Sequence, residues 1–573
     1  MQTARRLYVY LLSGISLGAL VAGITLLLTV LFEALGLGAT GEVLFGGEDA
    51  TRQQLTLASA ISAVSLPVWL IHWLVAERSV SPGRPAAAIE RTSGVRGLYF
   101  ALAMGALLFA MATGVAGLLE TIVLRVAGAE TFGRSIGGNL ALAMVAGAAW
   151  AYHVALRTRD WSRGPMTDAG AWLPRTYLYV ATFAGLFLLL GGVTGFIELL
   201  GRFILDEPPA FIDTSSGPWW AFPLASAVTS VAVGGAIWLG HAWYANRLML
   251  DPGWRGASER PAELRLAFYV AVLIATAAGT IYLIGDGVGN ALAAALGVPD
   301  TEETGQTVGL IVLPILSALP YAIAWWLHAR WMDRETEASG SPERLETGDR
   351  LQLYPVGLVG LAFGATATAW LIGILLDVVL GGERVVSGDV WRRELAQFAP
   401  FAVLGVLAWV WRWRGAISRW AVDPIGEASS TTRWTTLLII LAVSIGAGVI
   451  SIGFILYRLF GSIFGLTLTG DPISELSLPI GGALVAGAVA GYHGSLLRRD
   501  QSLRAGSEPS PAEPAAAPPR IWLRLTGPPG AQVDSQLAEL RQQLPTGYAL
   551  EVVEPPASPA AAAHPSTEPA QGS

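Results

Sequence analysis

The chain has 573 residues, of which 53% are hydrophobic and only 14% charged, with a formal net charge of −7. Soluble globular domains carry charge at about a quarter of their positions, and a mean hydropathy of +0.52 makes lipid the natural solvent for most of this chain. Cysteine is absent and all 36 basic residues are arginine, which excludes disulfides, thiolate nucleophiles, Cys metal sites, a Walker-type phosphate loop and pyridoxal chemistry, the last two because each needs a lysine.

Near the start, Ala4-Arg5-Arg6-Leu7-Tyr8 precedes an apolar run that reaches about Leu31. That run is longer than the roughly 7 to 15 residues of a signal-peptide core, and no small-residue cleavage site follows it. A first transmembrane helix retained in the mature protein is expected. A run of about 18 apolar residues crosses the hydrocarbon core as a helix, and the chain offers twelve candidates. They are 7–31 and 55–75, 97–121 and 137–156, 176–204 and 220–244, 266–296 and 308–329, 352–380 and 396–411, and 435–465 and 477–496. Pro223, Pro400 and Pro479 stand where second helices of these pairs are expected to begin, and a first turn tolerates the missing N–H.

The pairs repeat. Each opens with an arginine, in five cases with an aromatic four residues on: Arg6/Tyr10, Arg96/Phe100, Arg175/Tyr179, Arg265/Tyr269 and Arg350/Tyr354, with Arg433/Leu437 as the sixth. Each closes on Trp-x-x-His or a variant of it. These endings are Trp69/His72, Trp150/His153, Trp238/His241, Trp325/His328, Trp409/Arg412 and Ala490/His493, so five of the six histidines occupy one repeat position. The units span 1–80, 95–162, 174–248, 264–334, 349–418 and 432–500.

Basic residues in short loops stay on the cytoplasmic side. Of the 36 arginines, 28 fall before the first helix, between units or from residue 498 onward, while the loops inside units are acidic. Linkers and both termini are therefore expected to be cytoplasmic, and all six hairpins to point the same way. This is a parallel repeat, unlike the inverted repeats of many transporters. Small residues at four-residue spacing, Gly14/Gly18, Gly191/Gly195, Gly360/Gly364 and Gly487/Gly491, read as packing seams. Beyond a Pro/Ala-rich linker at 501–519, the segment 520–554 alternates, turns helical and alternates again. It is read as a small βαβ module that docks on the cytoplasmic face, on another copy or on a protein partner; 555–573 reads as a disordered tail. The fold class expected is thus an all-α polytopic membrane protein of about twelve transmembrane helices in six parallel two-helix repeats, plus that cytoplasmic βαβ segment.

Two sets of residues stand out as candidate sites. The Trp-x-x-His positions suit interfacial anchoring, Trp at headgroup depth with the imidazole reaching water and lipid phosphates. The sharper alternative is a ring of imidazoles acting as a proton relay, pH sensor or haem-ligating set. Arg412 interrupts such a ring, and no second residue type matches His at metal-ligand spacing, so no metal and no cofactor is expected. The second set is a carboxylate late in the first helix of five units, Glu33, Glu120, Glu198, Asp286 and Asp377, at offsets of 21 to 27 residues from the opening arginine. Such groups either lie at the outer interface, with Arg125, Arg202 and Arg458 as partners, or line a transport path. There is no basic aromatic surface for nucleic acid.

The Arg-x-x-x-Tyr openings and the ending Pro67-Val-Trp69-Leu-Ile-His72 resemble a bacterial integral-membrane repeat family known as a domain of unknown function (5671 type), in tandem copies over roughly residues 5–500. The resemblance is clearest in units one, three and four, and weakens at Arg412, Leu437 and Ala490. It implies a membrane location and repeated hairpins, and it carries no activity, substrate or catalytic residue. The all-Arg, Ala/Gly-rich composition is that of a bacterium of high genomic GC content, hence an inner-membrane location. The expectation is a non-enzymatic scaffold or interaction protein whose constant partner is the lipid bilayer. The alternatives are a secondary transporter or channel and, more weakly, haem or quinone binding through the histidines.

Overall fold

A computed structural model describes residues 2–38, 48–84, 86–129, 135–206, 217–298, 307–339, 341–382, 389–464 and 470–507, together with residues 539, 540 and 542. Residues 1–507 form one compact unit and 508–573 another. The βαβ reading of 520–554 and the tail at 555–573 lie outside the described residues, apart from those three positions.

The described residues of the first unit are helical almost throughout. In chain order the helices are α1 (Gln2–Phe32, continued by a π turn over Glu33–Leu37), α2 (Glu48–Ser79), α3 (Ala87–Arg91), α4 (Gly94–Val126), α5 (Ile136–Ser162), α6 (Asp168–Leu205), α7 (Ala221–Met249) and α8 (Trp254–Glu259). They continue as α9 (Glu263–Ala295), α10 (Thr307–Ala338), α11 (Pro342–Leu380), α12 (Val390–Val422), α13 (Pro424–Ser429), α14 (Thr431–Ile463) and α15 (Pro472–Ser507). Twelve of these are long and apolar enough to cross a membrane, and α3, α8 and α13 are single-turn connectors.

The long helices overrun the apolar stretches, most of all α11, which starts ten residues before 352, and α12, which extends past 396–411 at both ends. Hydropathy marks only the part of a helix that needs hydrocarbon, whereas the helix ends where its orphan N–H groups find an acceptor. Ser341 caps α11 by accepting from the Arg344 N–H, and Ser93 and Ser430 do the same for Arg96 and Arg433. Two of the proline expectations are corrected by the same fact. Pro223 does lie in the first turn of α7, but Pro400 and Pro479 sit inside α12 and α15; neighbouring helices and local adjustment tolerate a proline inside a membrane helix.

Packing is strongest within the six consecutive pairs α1/α2, α4/α5, α6/α7, α9/α10, α11/α12 and α14/α15, and then between each pair and the next. The first and last pairs do not pack substantially on one another, so the pairs form an open row and not a closed ring. In keeping with that, no more than 33% of the most apolar window of any long helix is buried inside the protein, falling to 11% for α14. The rest of each window is exposed or only half-covered by the chain.

The glycine seams are only partly where four-residue spacing puts them. A Cβ at Gly360 would lie 2.5 Å from the Trp409 backbone nitrogen, and one at Gly364 2.9 Å from that of Val406, so α11 and α12 touch backbone to backbone. Gly18, Gly191, Gly487 and Gly491 face open space instead. Gly185 and Gly192, seven residues apart, make the corresponding close approach of α6 to α7.

Candidate functional site

The opening arginines fall into two alternating arrangements, Arg96, Arg265 and Arg433 buried and Arg6, Arg175 and Arg350 half-buried. Arg6, Arg175 and Arg350 reach forward to a glutamate on the single-turn connector after their own helix pair. Arg6 Nε is 2.7 Å from Glu90 on α3, Arg175 Nε 2.7 Å from Glu259 on α8, and Arg350 Nε 2.9 Å from Glu427 on α13. Arg96, Arg265 and Arg433 instead pair with a carboxylate near the end of the second helix of their own pair: Asp160 at 2.6 Å, Glu335 at 2.6 Å and Asp500 at 2.7 Å. The tyrosine four residues after each of the first group hydrogen-bonds to one or both arrangements. Tyr354 Oη donates to Glu427 at 2.8 Å and accepts from Arg433 at 3.2 Å. Tyr10 accepts from Arg96 at 3.0 Å, and Tyr179 donates to Glu259 at 2.6 Å.

A buried charge is tolerable only when paired and hydrogen-bonded, and here Arg96 also pairs with Glu77 of the preceding helix pair at 2.7 Å. Arg96, Asp160, Glu259 and Glu427 are each no more than 1% exposed. Burial alone would push the Glu427 carboxyl up, but hydrogen bonds from Arg350 and Tyr354, the Arg350 charge and a bond from Arg419 outweigh it and hold the group below its ordinary value. Sequence reasoning missed all of these carboxylates. Their signal was an acidic residue set among arginines in an otherwise basic linker, as in Arg159-Asp160, Arg334-Glu335 and Arg499-Asp500.

The histidines share one geometry. Nδ1 of His72, His153, His241, His328 and His493 lies 2.7 to 2.9 Å from the carbonyl four residues earlier. A carbonyl only accepts, so Nδ1 carries the proton and, in the neutral ring, Nε2 is left as an acceptor. Tyr99 donates to it in His153 at 2.9 Å and Tyr177 in His241 at 3.0 Å. With both nitrogens so engaged, these two rings could bind iron only by breaking a bond. Four of the five histidines are buried and His72 is half-buried, so the anchoring expectation of imidazoles in water is corrected: they are core residues.

The tryptophans explain why the signature repeats, because each docks on the next helix pair. Trp69 stands 6.5 Å from Tyr152, beside His153, and Trp150 stands 6.3 Å from His241 and donates to Tyr177 at 2.9 Å. Trp238 packs against a core that includes Val272 and Ala324; Trp325 lies under the Arg412 guanidinium at 5.1 Å; Trp409 is 6.2 Å from His493. Arg412 therefore keeps the contact that His makes elsewhere. The sixth unit, the last helix pair among the described residues, has Ala490 at the tryptophan position, and His72, in the first described pair, is the least buried histidine of the set. Five imidazoles along an open row do not make a ring.

The late-helix carboxylates are not brought together. Glu33 is exposed and accepts from Ser135 at 3.3 Å; Glu198 is exposed and pairs with Arg202 at 2.9 Å, as expected. Glu120 and Asp286 are half-buried. Arg458 pairs with Glu475, and Arg125 donates to the Gly38 carbonyl at 3.4 Å. Asp377 differs from the rest: it is fully buried and neither of its oxygens is hydrogen-bonded. Three grooves of about 530, 460 and 380 Å³ lie among α1, α2 and α4–α7, and none is lined by a carboxylate. Among the described residues, no three His, Asp or Glu side chains cluster as metal ligands would.

Comparison with known proteins returns one family, described as "Domain of unknown function (DUF5671)", which matches four times in tandem, over residues 6–148, 97–217, 175–327 and 350–488. Three of these matches begin on Arg6, Arg175 and Arg350, the arginines that reach to a connector helix, and the fourth begins one residue after Arg96. No curated protein and no solved structure matches the chain.

Proposed function

The chain belongs to the DUF5671 family, and from that premise we propose that it is a non-enzymatic membrane scaffold, an open row of six parallel hairpins with linkers and both ends in the cytoplasm. The observation that carries this reading is where the buried polar groups are used. The opening arginines and the linker carboxylates are engaged with one another within helix pairs and their connectors, and the bonds from Arg96 to Glu77 and Tyr10 and from Arg433 to Tyr354 cross to the preceding pair. A transport path needs ionisable groups converging on a hydrated interior; here the grooves are apolar, and four of the five late-helix carboxylates are scattered at exposed or half-buried positions. The basic linkers would then present a fixed cytoplasmic surface to a protein partner or to a second copy, with 520–554 as a docking module.

One residue supports the transporter reading, the unpartnered carboxylate of Asp377. Both readings are tested by reconstituting the purified chain in liposomes and measuring proton and potassium flux. The scaffold reading expects no flux above that of empty vesicles. Flux that disappears in Asp377→Asn would overturn it. The orientation is tested separately. Because the chain has no cysteine, single variants Ser418→Cys and Ser502→Cys should be labelled by impermeant maleimide only from the cytoplasmic side, and Thr51→Cys only from the opposite side.

A further inference from the structure

Arg157 on α5 is the buried cation that the ion-pair chains leave out. It is 6% exposed, and its neighbour Asp160 is already engaged by Arg96 at 2.6 Å and by Arg159 at 3.1 Å. The contacts Arg157 does make are a 3.2 Å bond from Nη2 to the Gly170 carbonyl and the face of Trp161, 5.1 Å away; its Nε has no partner. The corresponding position, four residues after the His or Arg of the signature, is Ala76, Ala245, Met332, Ala416 and Leu497 in the other units. The fold is therefore served there by an apolar side chain, and Arg157 answers to something else.

What it faces is the groove of about 380 Å³ between the second and third helix pairs. Arg157, Thr158 and Tyr244 line one end, within about two turns of the ends of α5 and α7. Met104, Leu108 and Ile237 line the rest, deeper along their helices. On α5 the lining runs from Arg157 back to Trp150, about 10 Å along the axis at 1.5 Å per residue. Arg175 also borders the groove, but Glu259 neutralises it at 2.7 Å. A positive charge with no ion pair of its own among the described residues thus sits at the mouth of an apolar slot that runs toward the middle of a membrane-spanning bundle. We infer that this groove binds a single anionic phospholipid, with its phosphodiester on the Arg157 guanidinium and the first part of an acyl chain along Leu108 and Ile237. A guanidinium holds phosphate through charge-assisted bonds, and the apolar slot distinguishes a lipid from a free phosphate.

Native mass spectrometry of the full chain, exchanged into detergent with phosphatidylglycerol, phosphatidylcholine or inorganic phosphate, tests the assignment. The intact chain should retain one phosphatidylglycerol, and excess inorganic phosphate should fail to displace it. Arg157→Met, which places the Met332 side chain type of the fourth unit at this position, should weaken that retention about tenfold, to the level of phosphatidylcholine. Gly240→Leu keeps the arginine and fills the slot, because a Cβ at Gly240 meets nothing within 4 Å; it should weaken retention to a similar degree and decides the question alone if Arg157→Met does not fold. Equal retention by the intact chain and Gly240→Leu, equal retention of both lipids by the intact chain, or displacement by inorganic phosphate would each overturn the proposal.

Discussion

Replacing Arg433 by methionine should cost about 3–5 kcal/mol of unfolding free energy, the usual penalty for leaving a buried charge without its partner. Asp500 is 2% exposed, and Arg433 holds it through Nε at 2.7 Å and Nη2 at 3.4 Å. Removing Arg433 strands that carboxylate and also withdraws the donor to Tyr354. Asp500→Leu should cost less, about 2–3 kcal/mol, because the remaining guanidinium keeps the Tyr354 oxygen as an acceptor. With both charges gone neither is left unpaired, so the double variant should recover to within about 1 kcal/mol of the intact chain, a coupling of at least about 4 kcal/mol. Arg412, Arg414 and Arg419 remain in that linker to hold its orientation. Unfolding by sodium dodecyl sulfate in mixed micelles, followed by tryptophan fluorescence, measures all three variants. If the cost of the double variant equals the sum of the two singles within about 0.5 kcal/mol, the pair is not coupled and the ion-pair account of the row is wrong.

Three further outcomes follow from the same contacts. Trp409→Ala removes an aromatic docked on the next helix pair and should cost about 3 kcal/mol, whereas Ala490→Trp adds one with no described pair to receive it and should change stability by less than about 0.5 kcal/mol; the same micelle assay reads both. The Glu427 carboxyl is held below its ordinary value, so its contribution is fully present above the unfolded-state pKa of about 4.3 and is lost as pH falls through the lower folded-state value. Glu427→Gln should therefore be less stable than the intact chain at pH 7 and show a shallower loss in that acid window, and parallel acid limbs would contradict the assignment. Asp377 has no pair to break, so Asp377→Asn should leave stability at pH 7 unchanged or raised by up to about 1 kcal/mol; a loss of 3 kcal/mol or more in thermal unfolding would mean that the carboxylate has a structural partner.

The twelve helices long and apolar enough to cross a membrane were legible because each needs one local property, an apolar run of sufficient length. The repeat was legible because the opening arginine and the Trp-x-x-His ending recur at nearly constant spacing. The partners of the arginines were not, since Arg6 and Glu90, or Arg433 and Asp500, are 84 and 67 residues apart, and nothing local selects one linker carboxylate over another. The late-helix carboxylates looked equivalent only by position in the sequence. Offset does not set their burial: Glu33 and Asp377 both stand 27 residues after their opening arginine, yet Glu33 is exposed and Asp377 is buried.

An open row accounts for departures that a ring would leave unexplained. In a closed ring every unit has two neighbours, and Ala490 and the half-buried His72 would be defects at the join. In a row they fall in the two outer of the six described helix pairs, each of which has a described neighbour on one side only. The alternation of the arginines adds a second, longer period. Arg6, Arg175 and Arg350 each reach forward to a connector helix, and three of the family matches begin on those residues and extend over about two helix pairs. The connector glutamate stands between the two pairs of each such set, and in the third set Tyr354 ties Glu427 directly to Arg433 of the following pair. Four helices joined through one connector are thus a self-consistent electrostatic unit, in which each buried opening arginine finds its counter-ion. Between one set and the next run aromatic links, from Trp150 to Tyr177 and His241 and from Trp325 to Arg412, and at the second join Gln352 also donates to Asp333 at 2.5 Å. The groove beside Arg157 lies at the first of these two joins, where no ion-pair chain crosses from one set to the next and a buried cation is left to find its partner outside the chain.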